Sequence, residues 1–359
     1  MDTQNLYTRH LEYKCYKLVT TLGVRMKKTI LIGVLVILIF IISACSNSNT
    51  TGKPIQENKP ITIGMQVGPA STLLMVAKDK GFFEDEGLNV ELKEFTAGKF
   101  ALQAFLAGSI DMAASGEVPV TLASLQGNKF YIVTQVVERT KNEVRVIALK
   151  DGNLNNPEEY FKSKKRKLAT SFGGGPEVYT YNFLKKYNIP DVEIISQKPE
   201  DMPIALQSKT VDAIAIFEPF AFFAEQKVGN ESITFKDDKL YSELYVLSAK
   251  REWVEANPEI VEKILRALDR ASEFIEKNPE ESKSILMKYT KLDKTTVDGI
   301  WDNFVYKPVL NELLPKYLNE ETKWAKETGK VTNDTKIPDF NEYIYRDGLR
   351  KVKAENVKI

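Results

Sequence analysis

The chain has 359 residues, with 50 Lys+Arg against 49 Asp+Glu, one His and two Cys. A formal net charge of +1 gives no electrostatic case for nucleic acid as a partner. One histidine and two cysteines also leave few parts for imidazole or thiolate catalysis or for zinc.

The first element in chain order is an export signal. Met26-Lys27-Lys28 precedes an apolar run from Ile30 to Ile42, interrupted only by Gly33 and closed by Ser43-Ala44-Cys45. A basic start, a short apolar segment and small residues at the cut read as a secretion signal, and the run falls short of the roughly 20 residues of a membrane span. Ser43-Ala44-Cys45 resembles the lipobox of bacterial lipoproteins, which implies a lipid on Cys45 as the first mature residue. Translation from Met26 would give the same product. Removing residues 1–44 takes away six basic and two acidic side chains, leaving 44 basic against 47 acidic, a net of −3. His10 and Cys15 go with them, so the mature chain has no histidine and its single cysteine is the lipid carrier. Ser-His-Asp catalysis, Cys-His catalysis and the usual zinc sites are excluded, as is a structural disulfide. No acidic cluster has the spacing of a calcium loop, and neither a metal nor a cofactor is expected.

Residues 45–60, rich in Ser, Asn, Thr and Gly, read as a flexible tether. Beyond it, short apolar runs alternate with amphipathic stretches, the signature of an α/β architecture. Strands are expected at Ile61–Val67, Asn89–Phe95, Ile110–Ala114, Tyr131–Val137 and Val144–Leu149. Helices are expected after Ser71, an N-cap candidate, to a stop at Gly81, then near Lys99–Ala107, and from Gly116 to about Gln126. A second series follows. It comprises a strand at Leu168–Ser171, a glycine loop at 173–175, a helix to about Tyr187, a strand at Val192–Ser196, a helix to Gln207 and a strand at Val211–Phe217. After Leu244–Leu247 the chain becomes mainly helical. Glu259–Phe274 is the clearest amphipathic helix, with Ile260, Ile264, Leu265 and Leu268 on one side.

The order of motifs resembles the periplasmic-type binding proteins for nitrate, aliphatic sulfonates, taurine and thiamine-pyrimidine precursors. The matching segments are Ala77-Lys78-Asp79-Lys80-Gly81-Phe82-Phe83-Glu84-Asp85-Glu86-Gly87-Leu88, Ala107-Gly108-Ser109-Ile110-Asp111-Met112-Ala113 and Gly116-Glu117-Val118-Pro119. Val211-Asp212-Ala213-Ile214-Ala215-Ile216-Phe217-Glu218-Pro219-Phe220 and Ala256-Asn257-Pro258-Glu259 complete the set. The likeness spans most of residues 60–345. It implies a two-lobe clamshell of the type II periplasmic-binding-protein fold with two crossover strands. Lobe 1 would comprise about 60–148 plus 247–359, and lobe 2 about 149–246. Such a protein is a monomer that hands a small-molecule solute to an ABC permease and its ATPase.

Ligands of open α/β sheets sit beyond the carboxyl ends of the strands, and four loops here meet that condition. Ser71 and Thr72 bring hydroxyls to a helix start, where capping is an equal use for them. Ser115, Gly116 and Glu117 form a strand-to-helix junction at which Gly116 permits close approach or simply makes a turn. Phe172, Gly173, Gly174 and Gly175 offer successive N–H groups to an oxyanion such as sulfonate. Their spacing fits neither the dinucleotide fingerprint nor a Walker loop. Phe217 and Glu218 form the fourth loop, with Glu218 suited to a ligand amine or N–H or to a structural cap. A carboxylate there argues against simple nitrate, and the surrounding aromatics suit an organic solute.

The expectation is a lipid-anchored, extracytoplasmic solute-binding component of an ABC importer, taking a sulfonate, taurine-like or pyrimidine or aromatic compound. A sensory or partner-binding lipoprotein is the alternative. Enzymes of the same fold, a pyrimidine-precursor synthase and a desulfinase, depend on His and Cys that the mature chain lacks.

Overall fold

The computed structural model describes residues 59–141 and 143–359. The expected signal sequence, Cys45 and the tether up to residue 58 lie outside the described residues.

The first half of the chain alternates strand and helix: β1 (Ile61–Gln66), α1 (Thr72–Asp79), α2 (Phe82–Asp85), β2 (Val90–Phe95), α3 (Gly98–Leu106), β3 (Met112–Gly116), α4 (Glu117–Leu125) and β4 (Tyr131–Val137). After β5 (Arg139–Thr140) come β6 (Arg145–Leu149), α5 (Pro157–Lys162), β7 (Arg166–Thr170), α6 (Gly175–Lys186), β8 (Val192–Ser196), α7 (Met202–Gln207), β9 (Ala213–Ile216), α8 (Phe220–Val228) and β10 (Ser232–Phe235). β11 (Tyr245–Ala249) leads into α9 (Arg251–Ala256), α10 (Pro258–Lys277), α11 (Pro279–Thr290), α12 (Lys294–Ile300), β12 (Phe304–Val305), α13 (Leu313–Glu327) and α14 (Arg346–Val352).

Two five-stranded sheets result, in the orders β2-β1-β3-β11-β4 and β10-β6-β9-β7-β8, and β5 pairs with β12 in a short antiparallel ladder. β1 runs parallel to β2 and β3, and β7 runs parallel to β8 and β9. β11 is antiparallel to both β3 and β4, and β6 is antiparallel to both β9 and β10. Edge strands β2 and β8 carry Glu91, Lys93, Glu94 and Glu193, charges that discourage pairing with another chain. Each sheet has its own apolar core, one around Ile63, Met65, Ile132 and Val246, the other around Ile147, Leu168, Ile214 and Tyr179.

The pairing puts the two crossings between sheets a few residues before the expected lobe boundaries. β6 lies in the second sheet, so the chain changes sheet between Val137 and Arg145 rather than at 148–149, and it returns before Tyr245 rather than at 247. Val146, Ile147 and Ala148 are fully buried between β9 and β10, a position that suits a continuous apolar run in a central strand. β10, β5 and β12 are strands absent from the expected set. β10 covers four residues and the other two cover two each, below the length at which alternation is readable.

Of the two helix-end signals at α1, the stop holds and the cap does not. Gly81 takes φ 73° just after α1, a left-handed position that glycine accepts without strain. Ser71 precedes α1, but its hydroxyl makes no capping bond, because Pro69–Ser71 forms a 3-10 turn that already closes the entry. On α10, Ile264, Leu265 and Leu268 are fully buried with Val261 and Ala271, while Ile260 is half-buried at the margin of the stripe. Leu268→Ala removes a fully buried side chain under the first sheet. It is expected to cost about 2–5 kcal/mol of unfolding free energy, read from urea titration.

Candidate binding cleft between the two sheets

The ends of β1, β3 and β7 and the turn after β9 meet around a small cavity of about 20 Å³. Gln66, Ala97, Gly98, Lys99, Gly116, Pro119, Glu243 and Tyr245 line it from the side of the first sheet. Ser171, Gly174, Gly175, Pro176 and Phe217 line it from the side of the second. A space of this size admits about one water, so the two sides are closed on each other.

The segment returning to β11 determines this geometry. Tyr241, Glu243 and Tyr245 follow one another at alternate positions, and each rests on a glycine. A Cβ at Gly175 would overlap the Tyr241 ring, one at Gly116 the Glu243 carboxyl, and one at Gly98 both the Tyr245 hydroxyl and the Cα of Ser115. Gln66 ties two sides of the cavity together: its Oε1 accepts from the Tyr245 hydroxyl at 3.2 Å and from the Gly98 N–H at 3.3 Å. Across the cavity Lys99 Nζ donates to Ser171 Oγ at 2.9 Å and to the Phe172 carbonyl at 2.8 Å. Burial lowers the Lys99 pKa, with Glu177 and Glu200 opposing.

Three of the four expected loops reach the cavity directly, through Gly116, through Gly174 and Gly175, and through Phe217. Ser71 and Ser115 stand just behind its wall, both fully buried and with unpartnered hydroxyl oxygens. Other expected contacts are committed elsewhere. Thr72 Oγ1 donates to the Pro69 carbonyl at 2.7 Å. The Gly173 N–H donates to Glu177 Oε2 at 2.7 Å, so it does not join an oxyanion cradle. Phe172 is 37% exposed and faces an outer groove of about 570 Å³ with Tyr181, Trp324 and Lys330. Glu117 is fully buried and accepts from the Tyr241 hydroxyl at 2.6 Å and the Leu244 N–H at 2.8 Å.

Glu218 is engaged within the protein. Its carboxylate sits 2.6 Å from Arg145 Nη1 and also accepts from the Phe222 N–H at 3.0 Å and from Asn303 Nδ2 at 3.3 Å. Arg145 in turn holds Glu225 at 2.7 Å. A carboxylate with a buried guanidinium already against it has no need of a ligand amine. The acid at the cavity is Glu243, and close behind it stands Glu143. Neither was singled out in sequence, nor were Gln66, Lys99 and Tyr245. The alternation Tyr241-x-Glu243-x-Tyr245 was the available signal, an acid placed between two aromatics where a strand begins.

Burial raises the pKa of both acids of this pair, Glu143 from 4.5 to about 8 and Glu243 well above the usual range, with Glu117 adding like charge to each. Glu117 and Glu321 form a second pair. Burial lifts Glu117 to about 7 against the hydrogen bonds it receives, and burial beside Glu117 lifts Glu321 well above 4.5.

Residues 55–288 match the model of the NMT1-like family. The chain belongs to the NMT1-like family. This is consistent with the motif order seen in the sequence. A Brucella abortus protein named as a binding protein is 27% identical over 254 residues, covering 67% of this chain and 75% of its own. A Bacillus subtilis protein named for binding aliphatic sulfonates is 25% identical over 294 residues, covering 80% and 85%. Among solved structures, the periplasmic aliphatic sulphonate binding protein SsuA from Escherichia coli superposes with a TM-score of 0.68 at 21% identity, covering 80% of this chain and 92% of that one. That likeness is one of fold, and it agrees with the two-sheet clamshell architecture.

Two outcomes follow from the charges. A carboxyl whose folded pKa is raised binds a proton that the unfolded chain releases, so its stabilising effect is complete below about pH 4.5 and is lost as pH rises through the folded value. Thermal unfolding midpoints should therefore fall between about pH 5 and 8, and Glu143→Gln, which mimics the protonated acid, should flatten that decline. Arg145→Met leaves Glu218 buried without its cation and should cost about 3–5 kcal/mol in denaturant unfolding.

Proposed function

We propose that this NMT1-like protein is the extracytoplasmic solute-binding component of an ABC importer and captures a small organic molecule between its two sheets. The observation that carries the reading is the cavity itself, enclosed from one side by residues around the first sheet and from the other by residues around the second. The names of the Bacillus subtilis and Escherichia coli relatives support a solute of the sulfonate type, and the Phe217 and Tyr245 rings suit an organic body. The absence of histidine from residues 45–359 supports binding rather than catalysis.

In this reading the lobes are residues 59–137 with 245–359, and 145–235. Segments 138–144 and 236–244 are the hinge, and Lys99 is the bridge that forms on closure. Lys330 to Glu177 at 2.5 Å adds a half-buried ion pair at the rim, and Lys185 to Glu327 at 3.2 Å adds an exposed one worth little. Among the described residues no helix is long and apolar enough to cross a membrane, and the lipid proposed on Cys45 would hold the module at the outer face of the membrane beside its permease.

Ligand-driven closure is tested by small-angle scattering of the purified full chain with and without a compound found by thermal-shift screening of sulfonates, taurine, nitrate, pyrimidines and aromatic acids. Ligand at 100 times Kd adds about 2.7 kcal/mol, enough to see in a melt. The radius of gyration should fall on saturation, and an unchanged radius with saturated binding would overturn the clamshell mechanism.

A further inference from the structure

The cavity has more acid around it than base. Glu243 forms one wall, its carboxyl pressed against Gly116, and is 8% exposed. Glu143, 3% exposed, stands behind it with one oxygen, Oε2, left without a partner. The Ser115 hydroxyl beside Gly116 is likewise fully buried and unpartnered. Lys99 is the one basic residue in the lining among the described residues, and it lies toward the glycine loop, bonded to Ser171 and the Phe172 carbonyl. The nearby Arg145 holds Glu218 and Glu225.

A nitrate or a plain sulfonate entering here gains Lys99 but meets the Glu243 and Glu143 carboxyls, whose protonation its charge would have to enforce. A ligand N–H meets the opposite situation. It brings a further donor, and when cationic a counter-charge, to a carboxyl pair that makes no ion pair among the described residues.

We propose that the solute carries an amine, amidine or amino-heterocycle that docks on Glu243 with Glu143 behind it, and an acceptor end that faces Lys99 and the glycine loop. This rests on the cleft being the solute site. A cationic nitrogen seated there takes the place of the proton that the two carboxyls share, and that proton leaves to solvent. Among the described residues the other ionisable groups facing the pair are Glu117 from α4, Glu321 from α13, Glu218 from the turn after β9, Tyr241 from the segment before β11, Tyr245 from β11 and Tyr306 from the segment after β12, and Lys99 faces the cavity from α3.

The test is titration calorimetry on the full chain with three matched pairs: taurine against ethanesulfonate, 4-aminopyrimidine against pyrimidine, and benzylamine against benzyl alcohol. At least one nitrogen-bearing member should bind at least about tenfold more tightly than its partner, about 1.4 kcal/mol. Glu243→Gln should erase that preference while its unfolding curve stays that of a folded chain. For taurine or benzylamine, titration in two buffers of different ionisation enthalpy should show proton release at pH 7, reduced in Glu143→Gln. Equal or tighter binding of the nitrogen-free partners, unchanged preference in Glu243→Gln, or no binding of any nitrogen-bearing probe at millimolar concentration overturns the proposal. Compaction on binding ethanesulfonate would in that case leave the solute-binding reading standing.

Discussion

Tyr241, Glu243 and Tyr245 are seated on Gly175, Gly116 and Gly98, and this triple contact sets the distance between the two halves of the molecule. A strand-like segment presents one face at every second residue, so three consecutive side chains of that face meet three separate backbones. Two of those glycines begin α3 and the cap of α4 on the side of the first sheet, and the third begins α6 on the side of the second. At Gly98 the obstacle to a side chain includes backbone, the Cα of Ser115 at 2.8 Å, which cannot swing away. The close approach of helix starts around one cavity therefore follows from three missing Cβ atoms and one returning segment.

That approach has an electrostatic consequence. Bringing Glu243 in against Gly116 also brings in Glu143, and Glu117 and Glu321 lie along the same seam. Carboxyls crowded in this way cannot all ionise, and pairing with a shared proton is the inexpensive arrangement. Arg145 solves the same problem differently a short distance away, pairing one guanidinium with both Glu218 and Glu225. The two solutions respond differently to pH. An ion pair needs its acid charged, whereas a shared-proton pair needs one acid neutral, so the seam is the part of the structure that loosens as pH rises.

Much of the fold was legible in the sequence because it rests on local periodicity. The strands at Ile61 and Tyr131 and the helix carrying Ile264, Leu265 and Leu268 follow from short apolar runs and a 3.6-residue stripe. The sheet to which β6 belongs was not legible, because Arg145–Leu149 reads the same whether it pairs with β4 or with β9. The site was half legible for a related reason. Glycines and helix starts point to loops, and Gly116, Gly174, Gly175 and Phe217 do line the cavity. Glu218 looked like a ligand contact because it follows a strand end. Only the partner it meets 73 residues away, Arg145, shows that it is already paired within the protein. Glu243 and Lys99 lacked a loop signature altogether, since one sits in the approach to a strand and the other in the first turn of a helix.

Closure and selectivity draw on the same few atoms. Lys99 is held against Ser171 and the Phe172 carbonyl when the cavity is about 20 Å³, too small for an organic solute, so any solute must part these contacts to enter. A ligand acceptor that reaches Lys99 replaces the bonds it breaks, and one that cannot leaves a partly buried ammonium unpaired. At the other wall the proposed solute would bring a donor, which an ionised Glu243 can accept. On the proposed reading the cleft would reject molecules by what they fail to return to Lys99 and Glu243, and discrimination of that kind exceeds what apolar fit around Phe217 supplies.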